Sequence, residues 1–246
     1  MSLVVLASLL AVVALMIVHL FSGAVSFLDG TPRSVWLSIA GGVSVAYVFV
    51  HLLPELGEAQ ETVAEAMGGG LAFLESHVYL VALLGLAVFY GLERAANSSR
   101  GRKRKAGEED ATSAGVFWLH ISSFAIYNAI IGYLLLHRED TGLEPLLLFA
   151  TAMILHFLVN DHGLREHHRG AYYRIGRWVL AAAIAFGWML GLLAEISEVA
   201  LAVLIAFLAG GIVLNVLKEE LPEERESRFW AFALGAALYA ALLLAL

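Results

Sequence analysis

Apolar residues run along this chain in eight long blocks, each closed by a short polar stretch. A membrane-spanning helix needs about 20 mostly apolar residues. On that measure the blocks predict helices over Ser2–Phe21, Val35–Leu56, Leu71–Leu92, Gly115–Leu136, Leu143–Asn160, Tyr173–Ala194, Val199–Leu217 and Phe229–Leu246. Two distant stretches are near copies. Ala40-Gly41-Gly42 leads to Leu53-Pro54-Glu55, and Ala209-Gly210-Gly211 leads to Leu221-Pro222-Glu223. With eight spans the copies cross in opposite directions, an inverted repeat of the kind many secondary transporters carry, with the substrate site at mid-membrane. The glycines suit close helix approach. Pro54 and Pro222 are expected to end their helices, because proline lacks the N–H and its ring clashes with the preceding turn.

Composition excludes a soluble domain. Of 246 residues, 60% are hydrophobic and 15% charged, against about 45–50% apolar and roughly 25% charged in ordinary globular chains. There is no cysteine, so neither a disulfide nor a thiolate metal site is possible. The first block has no Lys or Arg before Arg33 and is apolar for longer than a signal-peptide core, so it is expected to stay as a span. Alternating the loops across the membrane puts all fifteen basic residues but Arg138 on one side. Lys and Arg stay preferentially cytoplasmic, so both termini are expected outside. The opposite side collects Glu55, Glu58, Glu61, Glu65, Glu75, Glu139, Asp140, Glu144, Glu195 and Glu198. Residues 95–114 mix Arg-Gly-Arg-Lys-Arg-Lys with Glu, Asp, Ser and Gly, a disordered composition. They read as a cytoplasmic linker touching anionic lipid.

The chemistry sits in the fourth and fifth blocks. Polar residues within spans mark functional interiors by default. His120, Ser123, Tyr127 and Asn128 share one face of the fourth by helical spacing, and His156 and Asn160 are neighbours on the fifth, followed by Asp161. Imidazole and amide oxygen can ligate a zinc-like ion, with Asp161 as the nearby acid. The rival for the same residues is a network of interhelical hydrogen bonds. The run Asp161-His162-Gly163-Leu164-Arg165-Glu166-His167-His168 reads as a solvated loop carrying topology determinants, or as a metal release site. His51 and Glu55, four apart, read either as a cation-attracting entrance or as a solvated helix end.

This pattern resembles the ZIP (Zrt/Irt-like) family of divalent-metal transporters. The residues that carry the resemblance are Val50-His51-Leu52-Leu53-Pro54-Glu55, Ala209-Gly210-Gly211 through Leu221-Pro222-Glu223, and Tyr127-Asn128-Ala129-Ile130-Ile131-Gly132. The resemblance implies an all-α polytopic membrane protein of eight transmembrane helices in a 3+2+3 inverted-repeat bundle, N and C termini outside. The first repeat would cover residues 1–94, the linker 95–114, the central helices with the metal site 115–172, and the second repeat 173–246. The family's fourth span carries His-Asn-x-x-acid-Gly and its fifth a His-Glu-x-Pro-His-Glu type motif. Asn128 and Gly132 keep the first pattern, while Tyr127 replaces its His and Ile131 its acid. His156 and Asp161 fit the ends of the second, while Phe157, Val159 and Asn160 replace its internal positions.

The resemblance implies a metal site drawn from Asn128, His156, Asn160, Asp161 and Tyr127, and the polar face of the fourth block adds His120. It implies a permease, not an enzyme, carrying a divalent, zinc-like cation toward the cytoplasm. No separate cofactor is expected, and no nucleic-acid partner. The expected partners are the cation, the bilayer of a prokaryotic plasma membrane and a second copy in a homodimer. Two alternatives stand beside it: a protein of this fold retained as a metal sensor or scaffold, and an intramembrane metallohydrolase. No lysine lies inside a span to carry a retinal Schiff base, and no G-x-x-x-x-G-K-[ST] loop is present to couple ATP.

Overall fold

The computed structural model describes residues 3–24, 34–66, 77–108, 111–138, 142–220 and 228–245, and all regular structure among them is helical. The helices are α1 (Leu3–Phe21), α2 (Val35–Tyr47), α3 (Leu53–Ala66), α4 (His77–Lys105), α5 (Ala114–Leu134), α6 (Leu143–His168), α7 (Arg177–Leu193), α8 (Glu198–Glu220) and α9 (Phe229–Ala245). A π-helical turn, Val48–Leu52, joins α2 to α3, and a second, Tyr172–Gly176, leads into α7. Seven helical stretches are long and apolar enough to cross a membrane; α9 is apolar and 17 residues long. This is the build of a polytopic membrane protein.

Three elements differ from the expectation. Pro54 does not end its helix. The chain stays helical from Val35 through Ala66 because the π turn precedes the proline: the Leu53 N–H bonds to the Val48 carbonyl, five residues back. A wide turn of this kind absorbs the ring that a regular ladder would reject. The equivalent stretch, Leu221-Pro222-Glu223, lies outside the described residues, as do Leu71–Glu75 of the third block. Second, the first half of the expected linker is helix. Residues 95–105 continue α4, whose final Arg102, Lys103, Arg104 and Lys105 sit against its free carbonyls. The end is closed at Gly107 (φ 73°), where Glu108 N–H bonds to the Lys103 carbonyl (3.0 Å) and Gly107 N–H to that of Arg104 (3.2 Å). This is the two-bond C-terminal cap that glycine permits. Third, α6 runs past Asn160 to His168, so the polar run from Asp161 is helical.

Two compact units share the helices. One comprises Met1–Gly30 and Leu92–Ala194, the other Thr31–Gly91 and Glu195–Leu246. In the first, α1 packs against α6 and α7, and α5 lies along α7. The buried stripe of α1 is Ser8, Ala11, Val12, Leu15 and His19, at helical three- and four-residue spacing. In the second, α2 lies along α9, and α2 and α3 pack on α8.

One device recurs at three crossings. A Cβ on Gly42 (α2) would overlap the Phe232 carbonyl oxygen of α9, and one on Gly235 would overlap that of Ile39. Gly210 (α8) faces the Ala82 carbonyl of α4 in the same way, and Gly85 faces that of Phe207. Gly132 (α5) and Gly187 (α7) face Ile184 and Ala129. In every case the glycine points at the carbonyl three residues before its partner glycine, so the two backbones meet reciprocally. Contacts of this Cα–H···O type bring helices together where any side chain would hold them apart.

Gly210→Ala and Gly132→Ala should each lower the midpoint of thermal unfolding in detergent, because overpacking costs about 1–3 kcal/mol. Gly91→Ala, with nothing within 4 Å of the added methyl, should leave the midpoint unchanged or raise it. Equal behaviour of the three variants would refute the close crossings.

Candidate functional site

All six expected site residues lie in the first unit, and the structure sorts them into separate groups. The α5 residues Phe117, Ile121, Phe124, Asn128 and Ile131 form one buried line, with His120 and Tyr127 beside it. On α6, His156, Asn160 and Asp161 fall on the buried face.

Asp161 has no exposed surface, and its partner is a residue the sequence reading missed. His19, also fully buried, places Nδ1 2.9 Å from both carboxylate oxygens. On the other side of the ring, the Asn128 amide nitrogen donates to His19 Nε2 (2.9 Å) and leans toward the Leu180 carbonyl of α7 (3.4 Å). With Nε2 accepting, Nδ1 carries the proton that is donated to Asp161. Four helices thus meet at one imidazole. The Phe157 ring lies against it, with centroids 4.7 Å apart. The Asn128 carbonyl oxygen is buried without a hydrogen-bond partner, and so is the Asn160 amide nitrogen. Buried orphans of this kind are rare and call for an explanation.

Tyr127 and His156 form a second pair, the hydroxyl 2.9 Å from Nε2, both buried. His120 belongs to a third group nearer the basic end. Its Nδ1 is 3.0 Å from His168 Nε2, and His168 Nδ1 is 2.6 Å from the Thr112 hydroxyl. Beside it, His167 Nε2 donates to Glu93 (2.8 Å), and Arg100 reaches Glu166 and His167, each at 3.4 Å.

The run from Asp161 to His168 is therefore not a solvated loop. Asp161, Arg165, His167 and His168 are buried, because α6 continues and turns them toward α1, α4 and α5. Nor do the six expected ligands converge. Among the described residues no three His, Asp or Glu side chains are placed to hold a metal ion together. His51 and Glu55 lie in the second unit, half-buried, with the His51 ring 5.2 Å from that of Tyr47.

A signal for His19 was present: it is the one ionisable side chain within the first apolar block, and such residues default to functional interiors. Comparison with family models and with curated proteins finds no match to this chain.

The burial of the pair makes its coupling measurable. His19→Leu takes the imidazole from the buried Asp161 carboxylate, beside which the Tyr172 hydroxyl remains; breaking a buried pair costs about 3–5 kcal/mol. His19→Leu with Asp161→Leu removes the carboxylate together with its partner and should recover most of that loss in thermal unfolding. If the double variant is as unstable as the two single effects combined, His19 and Asp161 are not a coupled pair.

Proposed function

We propose that the chain is a permease for a divalent, zinc-like cation, passing it through the polar seam of the first unit toward the side that holds the basic residues. The observation that carries this reading is the fully buried cluster of His19, Asn128 and Asp161 within apolar helices. A carboxylate, an imidazole and an unsatisfied amide oxygen at that depth are expensive to keep for packing alone. Their chemistry suits the ion: imidazole favours zinc-like metals, and a carboxylate and an amide oxygen complete a borderline-to-hard set. Asp161 would act chiefly on His19. A carboxylate on the far ring nitrogen fixes the tautomer and raises the basicity of the nitrogen that binds metal.

The ZIP resemblance agrees with the site's position, since Asn128 and Asp161 are motif positions of that family. The departures also have a place. Ile131, standing where the family has an acid, is 1% exposed and packs in the core, while α1 contributes the histidine.

The glycine crossings favour the inverted repeat of the 3+2+3 scheme. That repeat relates α2 to α8 and α4 to α9. It therefore turns the Gly42/Gly235 crossing into the Gly210/Gly85 crossing, and the two share the same reciprocal carbonyl offset.

One observation favours the sensor or scaffold alternative. His19, His156, His120, His167 and His168 each have an internal partner already, as in a network built for packing.

Zinc flux decides between them. The purified protein, reconstituted in vesicles with a zinc-sensitive dye inside, should admit zinc. His19→Ala, Asn128→Ala and Asp161→Asn should each slow uptake by about 10–100-fold, the range seen when groups supporting a metal site are lost. Asn97→Ala, an exposed position bonded to Glu93, should not. A well-folded parent that admits no zinc would hand the protein to the sensor or scaffold reading.

A further inference from the structure

We propose that the first unit holds an anionic phospholipid in the groove between the end of α1 and the start of α7, with Arg177 as its headgroup ligand. The groove encloses about 250 Å³ and is lined by Leu20, Phe21, Gly23, Tyr173, Arg177 and Trp178. None of these residues takes part in the cation seam, so the proposal stands apart from the permease reading.

Arg177 is set as an anion receptor. Its Nη1 donates to the Leu20 carbonyl in the last turn of α1 (3.1 Å), and the guanidinium lies over the Trp178 ring, 5.5 Å from its centroid. Those contacts fix the planar group in place. Its Nε, however, is buried without a hydrogen-bond partner, and among the described residues no carboxylate pairs with it. A fixed guanidinium that lines an apolar groove is matched by a phosphodiester, whose oxygens accept from the guanidinium fork.

The walls select a lipid over a small soluble anion. Phe21, Trp178 and Tyr173 are 60%, 55% and 40% exposed. Trp and Tyr at such positions form the belts that sit at headgroup level. Leu20 and Phe21 continue the groove as an apolar track for an acyl chain. Gly23 keeps it open: a Cβ there would come within 2.5 Å of the Tyr173 ring. Arg169 and Arg174 follow the same end of the unit, and Arg174 is exposed, bonded through Nε to the Gly170 carbonyl (3.4 Å). Basic pockets between spans at this kind of boundary bind acidic headgroups.

The experiment uses Trp178 as the reporter in the full-length protein. A variant with Trp36, Trp118, Trp188 and Trp230 changed to Phe is placed in phosphatidylcholine vesicles. Brominated phosphatidylglycerol or brominated phosphatidylcholine is then titrated in over the same range of fractions to quench it. One cation near the surface favours an acidic lipid by about 1 kcal/mol, so phosphatidylglycerol should quench at an about fivefold lower fraction. Arg177→Lys should keep the preference in part and Arg177→Gln should lose it. Two results would overturn the proposal. One is equal quenching by the two lipids; the other is a preference that survives in a folded Arg177→Gln protein. Glycerol phosphate in the buffer should leave the quenching unchanged. If it removes the preference, the groove is a soluble-anion site and the lipid assignment fails.

Discussion

The Asp161 carboxylate has no exposed surface and sits among apolar spans, so its partner has to come from the protein. That partner is His19, and meeting the requirement fixes several elements at once. α1 must present its His19 face inward, which sets its rotation and buries Ser8, Ala11, Val12 and Leu15 along the same line. The opposite ring nitrogen then needs a donor, and Asn128 supplies it from α5. A single buried charge thus specifies the contact of α1 with α6 and the depth of α5 beside them. Hydrophobic packing could not do the same, because in lipid one apolar face is nearly as good as another.

The glycine crossings make that arrangement reachable. Asn128 lies four residues before Gly132, on the same face of α5, and Leu180 lies two turns before Gly187 on α7. Because Gly132 and Gly187 let the two backbones meet, the short Asn128 side chain spans from the Leu180 carbonyl to the His19 ring. A larger residue at either glycine would push α7 outward and take the Leu180 carbonyl away from Asn128. Among the described residues the same crossing in α2/α9 and α4/α8 carries no buried His, Asp, Glu, Lys or Arg side chain, which separates the two uses of the device. In the second unit it holds helices together; in the first it also sets the spacing of polar side chains.

The spans were legible because their signal is long and one-dimensional: about 20 apolar residues need no tertiary knowledge to recognise. The end of α6 was not. His162, Arg165, Glu166, His167 and His168 look like a loop in isolation, and they remain helical because Glu93, Arg100 and Thr112 wait for them from α4 and the segment after it. Pro54 misled for a related reason. Its local rule is sound, yet a π turn five residues long satisfies it without breaking the helix. Asn128, Tyr127, His156 and Asp161 were found as polar residues in apolar blocks, but their partners were not, since pairing depends on helix rotation. His19 was the costliest omission, for it converts Asp161 from an isolated acid into half of a pair.

On the permease reading, this pairing bears on which ions the seam favours. The family pattern places acids in both central spans, whereas here Ile131 and Phe157 stand at acid positions and are buried in the core. With Asp161 turned to His19, the other polar groups of the seam are the His19 ring itself, the Asn128 and Asn160 amides and the Tyr127–His156 pair. Strongly hydrated ions such as magnesium or calcium need several carboxylate or carbonyl oxygens to replace their water. Imidazole-rich sets favour zinc-like ions instead. On the permease reading, a histidine from α1 in place of those acids would narrow selectivity as it lowers charge. On that reading His19 and Asp161 would have to part, or turn together, before an ion could reach either one.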